Sequence, residues 1–385
     1  MRIVFVSYEY PPDTGFGGIG TYVYQVTHLL SERGIDVEVI CGTDQHDRVN
    51  AVNDHLILHR LQTNSREEFR KLVPAAIKQI IQHKNIDIIE APEYGAESLY
   101  IKPAFPDIPL IVKLHTPAYL IKKLNDHYFD KQWHRKIKYA FAKYRSDNDV
   151  EYKATRLADY VTSPSVSLGD IISRDWNMKR EEIILSPYPY KPNTSLLNIP
   201  ADDRRKTVLY MGRLETRKGV YNLAKAIPFV LKQVPDANFV FLGKDDRGPW
   251  RKATMKDVLL KELGRYAGSV RFIDHVPLSQ IPDFLSTASV CVFPSLWENF
   301  PNVCLEAMSA ARGGGGGGGG GGAQMLQPCE GGLLVDPHDV QAIADSISNL
   351  LQHPVERIAY GKRCRQRIMD YHANTVPNKI VEQYK

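Results

Sequence analysis

"VCVFPSLWENFPNVCLEAM" fills positions 290–308 and joins a short apolar run to an amphipathic stretch through a polar turn. The run at 290–295 predicts a buried strand, and Pro301 suits the first turn of the helix that follows. Glu298 and Glu306 bracket the start of that helix, where free backbone N–H groups can meet a phosphate or a sugar oxygen. The helix dipole accounts for Glu298 but not for Glu306, which lies deeper among apolar residues. The stretch therefore predicts a strand–turn–helix unit with a ligand site at its turn.

The same order of strand and helix recurs along the chain. Apolar strands alternate with amphipathic helices from IVFVS (3–7) to PLIVKLH (109–115), and again from KTVLYMGR (206–213) onward. Strands this apolar cannot face water, so they predict parallel sheets covered by helices on both faces. Three prolines in SPYPYKPN (186–193) suit a stiff connector between the two halves. We therefore predict an α/β protein of two domains.

The composition is typical of a globular protein. Of the 385 residues 43% are hydrophobic and 24% charged, and a net charge of +5 does not by itself indicate a nucleic-acid partner. Five scattered cysteines without a C-x-x-C pair favour reduced thiols in the cytosol over disulfides or a zinc site. The first apolar run is too short for a signal peptide, and no run approaches the roughly 18 residues of a membrane span. We predict a cytoplasmic protein that is not integral to a membrane.

Glycines cluster near the front of the chain. The segment at 15–20 fits G-x-G-x-x-G, the dinucleotide-binding fingerprint. That fingerprint follows its strand directly, whereas YEYPPDT intervenes here, so we favour a glycine loop that leads into a helix at 21–34 and meets an anion. The alternative is an NAD-dependent oxidoreductase, which would bind NAD(H) at these glycines.

The acidic pairs in the sequence do not predict a metal site. Asp147 and Asp149 match a D-x-D pattern, but they follow no strand and lie in a charged helical region, which favours a solvated helix face. Asp245 and Asp246 suit a loop better than a metal site. We therefore predict no bound metal.

A second polar turn, GRLETRKG (212–219), follows the strand at 206–213. The carboxyl ends of strands are where open α/β sheets bind ligands. Arg213 and Lys218 flank this turn, and two such cations can bind a diphosphate and stabilise its charge as it leaves. Ordinary surface cations are the alternative for the turn taken alone.

Ten consecutive glycines stand at 313–322, where the pattern requires another apolar strand. Polyglycine loses more conformational entropy on ordering than any other sequence and buries no side chain. A native linker is possible, but core-like sequence resumes directly after the run. We predict that the natural chain carries other side chains in this run, and an intact mass equal to that of the written sequence would contradict this.

Taken together, these motifs resemble those of the retaining glycosyltransferase family 4. The segments that carry the resemblance occur in order over nearly the whole chain: PPDTGFGGIGTYV, KLHTP, GRLETRKG, VRFIDHV, FPSLWENFPNVCLEAM and GGLLVDP. The E-x7-E element with its upstream Arg/Lys pair is the specific part, whereas the glycine loop alone would be weak. The resemblance implies the GT-B fold, with two facing Rossmann-like domains, parallel sheets and an interdomain cleft.

Domain roles follow from this resemblance. Residues 1–188 are expected to form the acceptor-side domain and residues 189–367 the nucleotide-sugar-binding domain. A last helix at about 368–385 is expected to pack back on the first domain. The glycine run and the charged loop GKDDRGPW (243–250) depart from the family pattern, so the support of the donor pocket and the nucleotide preference stay open.

The resemblance also implies site residues. Arg213 and Lys218 would hold the donor diphosphate, and Glu306 would hydrogen-bond the ribose. Glu298 would face the hydroxyl groups of the transferred sugar. The predicted catalytic residues are Glu298, His115, Arg213 and Lys218. Further donor contacts are expected from Gly17, Gly18, Val276, Asn299, Phe300, Asn302 and Val303, and acceptor contacts from Glu93 and Tyr94.

The implied activity is the transfer of a hexose, with retention of configuration, from a nucleotide diphosphate sugar. UDP is the favoured nucleotide, no metal or other cofactor is required, and the acceptor is a saccharide or lipid-linked molecule in polysaccharide or glycoconjugate synthesis. A non-catalytic nucleotide-sugar-binding subunit stays open as an alternative, as does the oxidoreductase.

A basic stretch with interleaved aromatic residues covers 122–145. We favour an ordinary amphipathic helix pair that packs on its own domain. The sharper interpretation is peripheral contact with anionic lipid at the inner membrane face, which would bring the enzyme to a lipid-linked acceptor.

Overall fold

The structure, a computed structural model, describes residues 1–14, 17–126, 148–201, 205–245, 253–317, 320–371 and 382. The chain divides into two compact units. The first comprises Met1–Leu120, Ile137–Lys191 and Tyr371–Lys385, and the second comprises Ile121–Lys136 and Pro192–Asp370.

Several predicted features lie partly outside the described residues. The basic stretch at 122–145 is described only to residue 126, and Asp147 of the D-x-D pattern is not among the described residues. The helix expected at about 368–385 is described only over the 3-10 turn Ile368–Tyr371 and at Glu382.

The first unit is built on an eight-stranded sheet in the order β3-β4-β2-β1-β5-β6-β7-β8. Its described strands pair in parallel, except that β3 and β4 form an antiparallel pair. The strands are β1 (Arg2–Ser7), β2 (Asp36–Thr43), β3 (Arg48–Asn53), β4 (Leu56–Gln62), β5 (Ile88–Pro92), β6 (Leu110–Lys113), β7 (Tyr160–Ser163) and β8 (Ile183–Leu185).

Helices connect these strands, and the division between the units falls within α4. The helices are α1 (Gly18–Ser31), α2 (Arg66–His83), α3 (Ile101–Ala104), α4 (Ala118–Asp126), α5 (Val150–Arg156) and α6 (Val166–Asp175). Helix α2 begins at Ser65, whose side chain accepts a hydrogen bond from the Glu68 N–H at 3.2 Å. Its apolar side, with Phe69, Val73 and Ile77, packs against the buried strands β1, β5 and β6. Every residue of β1 is buried, as expected for a central parallel strand.

The second unit is built on a six-stranded parallel sheet in the order β11-β10-β9-β12-β13-β14. Its strands are β9 (Thr207–Met211), β10 (Asn238–Leu242), β11 (Val270–Ile273), β12 (Val290–Phe293), β13 (Gly314–Gly317) and β14 (Gly332–Val335). Its helices are α7 (Thr194–Leu197), α8 (Val220–Gln233), α9 (Met255–Leu263), α10 (Ile281–Thr287), α11 (Asn302–Ser309), α12 (Gly321–Leu326), α13 (Val340–Gln352) and α14 (Pro354–Arg367).

Apolar residues cover both faces of the second sheet. Val208 and Tyr210 of β9 point to the face on which α8 and α13 pack. Leu209 and Met211 alternate with them and point to the face that includes α10 and α11. This double cover explains why the strands read as unbroken apolar runs.

The glycine run contributes a strand to this sheet. Gly314–Gly317 forms β13 between β12 and β14, with Gly314 opposite Cys291 on one side and Gly332 on the other. The predicted position of a strand in this run is therefore confirmed. The backbone hydrogen bonds of two neighbouring strands order a segment that has no side chains of its own.

The two Rossmann-like units confirm the predicted α/β fold class with parallel sheets. Asp149, from the D-x-D pattern, caps α5 by accepting a hydrogen bond from the Glu151 N–H at 2.8 Å. Within the described ranges, no group of His, Cys, Asp and Glu side chains could hold a metal ion. No helix in the part of the chain that the structure describes has both the length and the apolar character needed to cross a membrane.

Candidate functional site

Two loops meet at the carboxyl edge of the second sheet. The loop at 212–219 follows β9, the loop at 294–301 follows β12, and these strands are neighbours in the sheet. The Leu296 N–H donates a hydrogen bond to the Arg217 carbonyl oxygen at 2.9 Å and so ties the loops together. Adjacent parallel strands place their following loops side by side, which is why polar residues 80 or so positions apart come into contact here.

A cluster of charged side chains joins the two loops. The Lys218 Nζ contacts Glu298 Oε1, and Arg217 Nη1 lies 3.2 Å from the same oxygen. The other end of the Arg217 guanidinium lies 2.8 Å from Glu215 Oε1. The side chains of Arg217, Glu298 and Lys218 are only 11%, 15% and 16% exposed, so their attraction is weakly screened.

These cations control the ionisation of Glu298. Burial alone would raise the pKa of its carboxyl group, but the charges of Lys218 and Arg217, with hydrogen bonds from Lys218 and Ser295, lower it below its ordinary value. Glu298 is therefore a carboxylate at neutral pH and can accept hydrogen bonds from hydroxyl groups.

The two predicted diphosphate ligands occupy different environments. Lys218 is buried in the cluster, whereas the Arg213 side chain is 54% exposed and lies 3.2 Å from Glu215 Oε1. Arg217 takes the position beside Glu298. Arg217 was not among the predicted site residues, although its place within GRLETRKG could have indicated it.

A small pocket opens beside this cluster. Its polar lining comes from Lys218, Ser295 and Glu298. The remaining lining residues are Tyr210, Met211, Phe293, Pro301, Val303, Gly316, Gly322 and Leu326. The pocket thus combines apolar walls with a few convergent charged groups, the usual character of a small-molecule site.

Helix α11 begins at the edge of this pocket. Pro301, which the sequence places in the first turn, is the N-cap of this helix, and Asn302 is its first residue. The N–H groups of a first helical turn have no partner within the helix, so those of Asn302 and Val303 can serve an anion. Asn299 is buried, and Phe300 is half-buried.

Glu306 lies on the second turn of α11, about 6 Å along the helix from its first residue. Its side chain is half-buried, and burial raises the pKa of its carboxyl group to about 7. No cation is among the causes of this shift. Glu298 and Glu306 therefore differ chemically: the first is held ionised by two cations, and the second titrates near neutral pH.

Val276 lies just beyond the end of β11 and is half-buried among the apolar residues of the face that carries α10 and α11. It follows a strand of the same sheet, so it shares the carboxyl edge with the two loops.

In the first unit, α1 begins where a glycine loop was expected to bind an anion. Gly17 is the N-cap and Gly18 the first helical residue. The carboxylate of Glu9 already lies here, because its Oε2 accepts a hydrogen bond from the Gly20 N–H at 3.3 Å. Arg66 pairs with Glu9 and holds it in place. This contact could not be predicted from the sequence. Glu9 lies in an irregular segment before the glycines, so no helix or strand pattern relates it to them.

His115 and its predicted neighbours also lie in the first unit. The His115 N–H donates a hydrogen bond to Glu93 Oε2 at 2.7 Å, and its Nδ1–H donates to the Lys113 carbonyl oxygen at 2.9 Å. Glu93 is fully buried. The centre of the Tyr94 ring lies 4.9 Å from Cζ of the Arg66 guanidinium.

Comparison with known proteins gives the family. Residues 205–353 match the family described as Glycosyl transferases group 1, and residues 16–189 match Glycosyltransferase Family 4. The chain belongs to the family 4 glycosyltransferases. It is similar to the glycogen synthase of Mycobacterium tuberculosis, with 25% identity over all of this chain and 94% of that protein. It is also similar to the phosphatidyl-myo-inositol mannosyltransferase of Mycolicibacterium smegmatis, with 24% identity over all of this chain and 94% of that one.

Solved structures share the fold. The sucrose-phosphate synthase of Thermosynechococcus elongatus is 24% identical with a TM-score of 0.77, over all of this chain and 98% of that one. The predicted GT-B fold and the predicted enzyme class, a glycosyltransferase, are confirmed. The oxidoreductase alternative for the glycine loop is set aside, because the family match from residue 16 covers the loop except Gly15.

Proposed function

We propose that this glycosyltransferase moves a hexose from a nucleotide diphosphate sugar, with UDP as the favoured nucleotide, to a saccharide or lipid-linked acceptor, and that it retains the anomeric configuration. The product would belong to polysaccharide or glycoconjugate synthesis. The observation that carries this proposal is the cluster of Arg217, Lys218 and Glu298 beside a pocket at the start of α11.

The diphosphate of the donor would bind between Lys218 and the start of α11. Its negative charge requires cations and N–H donors, and the pocket offers Lys218 together with the first N–H groups of α11. In the structure Lys218 pairs with Glu298. When Lys218 turns to the diphosphate, Arg217 stays on the carboxylate and keeps it ionised. Arg213, exposed at the rim, adds a second cation for the diphosphate.

Glu298 and Glu306 serve the two sugars of the donor. An ionised Glu298 in the pocket accepts hydrogen bonds from the hydroxyl groups of the transferred hexose. Glu306, deeper along α11, accepts hydrogen bonds from the ribose hydroxyl groups, and the Val276 backbone contacts the base.

The reaction needs no base from the protein in this proposal. The acceptor hydroxyl attacks the anomeric carbon on the face from which the diphosphate leaves, and its proton passes to a diphosphate oxygen. Lys218 and Arg213 stabilise the charge that develops on the leaving group. Because attack and departure share one face, the product keeps the configuration of the donor.

Residues of the first unit complete the proposal. We assign Gly17 and Gly18 to the donor phosphate, and His115 to the transferred sugar. Glu93 holds the His115 backbone in place, and Tyr94 remains an acceptor contact by proposal.

The named relatives support the choice of substrates. Two of them are described as a glycogen synthase and a phosphatidyl-myo-inositol mannosyltransferase, one acting on a polysaccharide and the other on a lipid. Solved structures of the same fold are described with UDP, with UDP and glucose, and with ADP and acarbose. These descriptions support a hexose donor and a saccharide or lipid-linked acceptor for this chain.

A transfer assay tests the proposal. The full-length protein is incubated with UDP-, GDP- and ADP-hexoses and candidate acceptors, nucleotide release is measured, and NMR gives the anomeric configuration of the product. We expect turnover with a UDP-hexose and a retained configuration. Lys218→Ala should lower kcat/KM by a factor of roughly 100 or more, the effect of removing a leaving-group contact. Lys261→Ala, at an exposed position on α9, is the matched control. Inverted product, or equal activity of Lys218→Ala, would contradict the mechanism.

Lipid contact by the basic stretch is a separate part of the proposal. Of the basic residues in this stretch, Lys122 and Lys123 lie on α4, within the described part of the chain. Co-sedimentation with vesicles of anionic phospholipid at low salt tests it, with vesicles of neutral phospholipid as the control. Absence of binding at low salt would contradict the proposed lipid contact, and the proposed donor site would be unaffected.

A further inference from the structure

Two of the five cysteines, Cys329 and Cys364, lie close together in the second unit. Cys329 ends a 3-10 turn that follows α12, and Cys364 lies on α14. Both sulfur atoms border Gly331: a Cβ placed on that glycine would overlap the Cys364 Sγ and lie 2.9 Å from the Cys329 Sγ. Because Gly331 has no side chain, both sulfur atoms have room beside it.

The two thiols differ in exposure. Cys364 is fully buried, and its Sγ donates a hydrogen bond to the Gly331 carbonyl oxygen at 3.2 Å. Cys329 is half-buried, so it is the more accessible residue of the two. Cys41, Cys291 and Cys304 are also buried, and Cys304 lies near the pair. The geometry therefore pairs one accessible thiol with one protected thiol.

The acidity of the pair follows the same division. The neighbouring Cys364 thiol lowers the pKa of the Cys329 thiol to about 7, with help from the charge of Arg367 and against the effect of burial. The neighbouring Cys329 thiol, together with burial, raises the pKa of Cys364. Cys329 is therefore the thiol that becomes a nucleophilic thiolate near neutral pH.

We propose that Cys329 and Cys364 form a redox-sensitive dithiol that closes to an intramolecular disulfide under oxidation. The Cys329 thiolate attacks hydrogen peroxide, its O–O bond breaks, and Cys329 becomes a sulfenic acid while the hydroxide that leaves takes a proton as water. The Cys364 sulfur then attacks the sulfenic sulfur, and the second hydroxide leaves with the Cys364 proton as water. Two thiols and one peroxide thus give one disulfide and two waters.

The cross-link would join the segment after α12 to α14. Helix α12 borders the pocket, because Gly322 and Leu326 contribute to the lining. The dithiol is therefore attached to an element of the proposed donor site, although its chemistry does not depend on the proposed function.

Peptide mapping of the full-length protein tests the proposal. The protein is reduced, freed of reductant, treated with hydrogen peroxide, alkylated and digested. We expect one linked peptide pair that contains Cys329 and Cys364 and that dithiothreitol separates. Cys41→Ser, in the first unit, is the matched control and should keep the link. In Cys364→Ser, Cys329 should stop at the sulfenic acid and react with dimedone.

The wild-type map does not depend on how well the variants fold. Recovery of both cysteines as alkylated free thiols after peroxide would overturn the proposal. So would a linked pair that involves Cys41, Cys291 or Cys304 in the same amount.

Discussion

The carboxylate of Glu298 lies between two cations, and this arrangement distinguishes the site at the scale of single residues. Lys218 and Arg217 both contact Glu298 Oε1, and Arg217 also contacts Glu215. One cation can therefore leave the carboxylate while the other keeps it ionised. If Lys218 were the only cation, its move to an incoming diphosphate would leave Glu298 without a cationic partner.

Arg217→Met tests this division of labour. We expect the free energy of unfolding to fall by about 1–3 kcal/mol, because buried Glu215 loses an ion pair and Glu298 loses an ionic hydrogen bond. The KM for the donor should rise, because Lys218 then remains on Glu298. Urea denaturation and donor kinetics measure the two effects. Arg265→Met, at an exposed position, is the control, and a variant with unchanged stability and unchanged KM would show that Arg217 is a bystander.

Glu306 gives a prediction about pH. Burial raises its pKa from 4.5 to about 7 in the folded protein, so the folded state binds the proton more tightly than the unfolded chain does. The associated stability is present below the unfolded pKa and is lost as pH rises through about 7. Glu306→Gln removes this loss. We expect the unfolding free energy of the variant, relative to that of wild type, to rise by up to about 3 kcal/mol as the pH is raised from about 5 to about 9.

Urea denaturation at both pH values measures that gain, and donor binding provides the second readout. Glu181→Gln, at an exposed position, is the control for a lost charge. A stability difference between Glu306→Gln and wild type that does not change with pH would contradict the raised pKa. Unchanged donor affinity in the variant would instead contradict the proposed contact with the ribose.

At the scale of elements, α12 supports the loop that carries Glu298. The Gly321 N–H donates a hydrogen bond to the Glu298 carbonyl oxygen at 2.6 Å. A Cβ on Gly321 would overlap the Asn299 carbonyl oxygen, whereas a Cβ on Gly315 of β13 would lie 3.1 Å from the Ser346 Oγ. The glycine run therefore contains positions of two kinds. At Gly321 the close approach of two backbones requires glycine, and at Gly315 a small side chain can fit.

Gly321→Ala and Gly315→Ala separate these two kinds of position. We expect Gly321→Ala to cost about 2–4 kcal/mol of unfolding free energy and to weaken donor binding, because backbone must move to relieve the overlap. Gly315→Ala should cost less than about 1 kcal/mol or be neutral, since alanine restricts the unfolded chain. Chemical denaturation of both variants makes the comparison, and equal costs would show that α12 does not approach the loop as described.

The strand and helix pattern could be predicted in part from the sequence, but the β3–β4 hairpin and the short strands β7 and β8 could not. The apolar runs at 3–7, 206–213 and 290–295 became buried strands β1, β9 and β12. Strands β3 and β4 were missed, because β3 (Arg48–Asn53) is mostly exposed and carries no apolar run. Its stability comes from pairing with β4, which is a property of the sheet rather than of the segment.

The candidate site could be predicted in part. The sequence analysis selected Lys218 and Glu298 together, and the structure brings them into contact. It did not select Arg217 or Glu9, because nothing in their local pattern distinguishes them from surface charges. Glu93 is buried and accepts a hydrogen bond from the His115 N–H, and its expected contact with the acceptor stays a prediction. That placement depends on contacts between β5 and β6, which local sequence does not show.

At the scale of the whole molecule, donor binding should appear as stabilisation. A ligand at 100 times its Kd adds about 2.7 kcal/mol to the unfolding free energy of the state that binds it. We expect UDP to raise the melting temperature of the full-length protein by several degrees and more than GDP or ADP does. Thermal-shift measurements with the three nucleotides make the comparison, with Lys218→Ala as the variant that should lose the shift. A larger shift with GDP or ADP would reverse the proposed nucleotide preference.

The order of strands and helices, the position of a strand within the glycine run and the family 4 motifs are all readable from the chain itself. They depend on the spacing of apolar residues and on short runs of neighbours, which act over a few positions. The meeting of Arg217 with Glu298 joins residues 81 positions apart, and that of Arg66 with Glu9 joins residues 57 positions apart. Folding alone creates these contacts, because the carboxyl edge of a parallel sheet collects loops from distant parts of the chain. The ionisation of Glu298 and Glu306 is decided there too, since burial and neighbouring charge exist only in the folded protein.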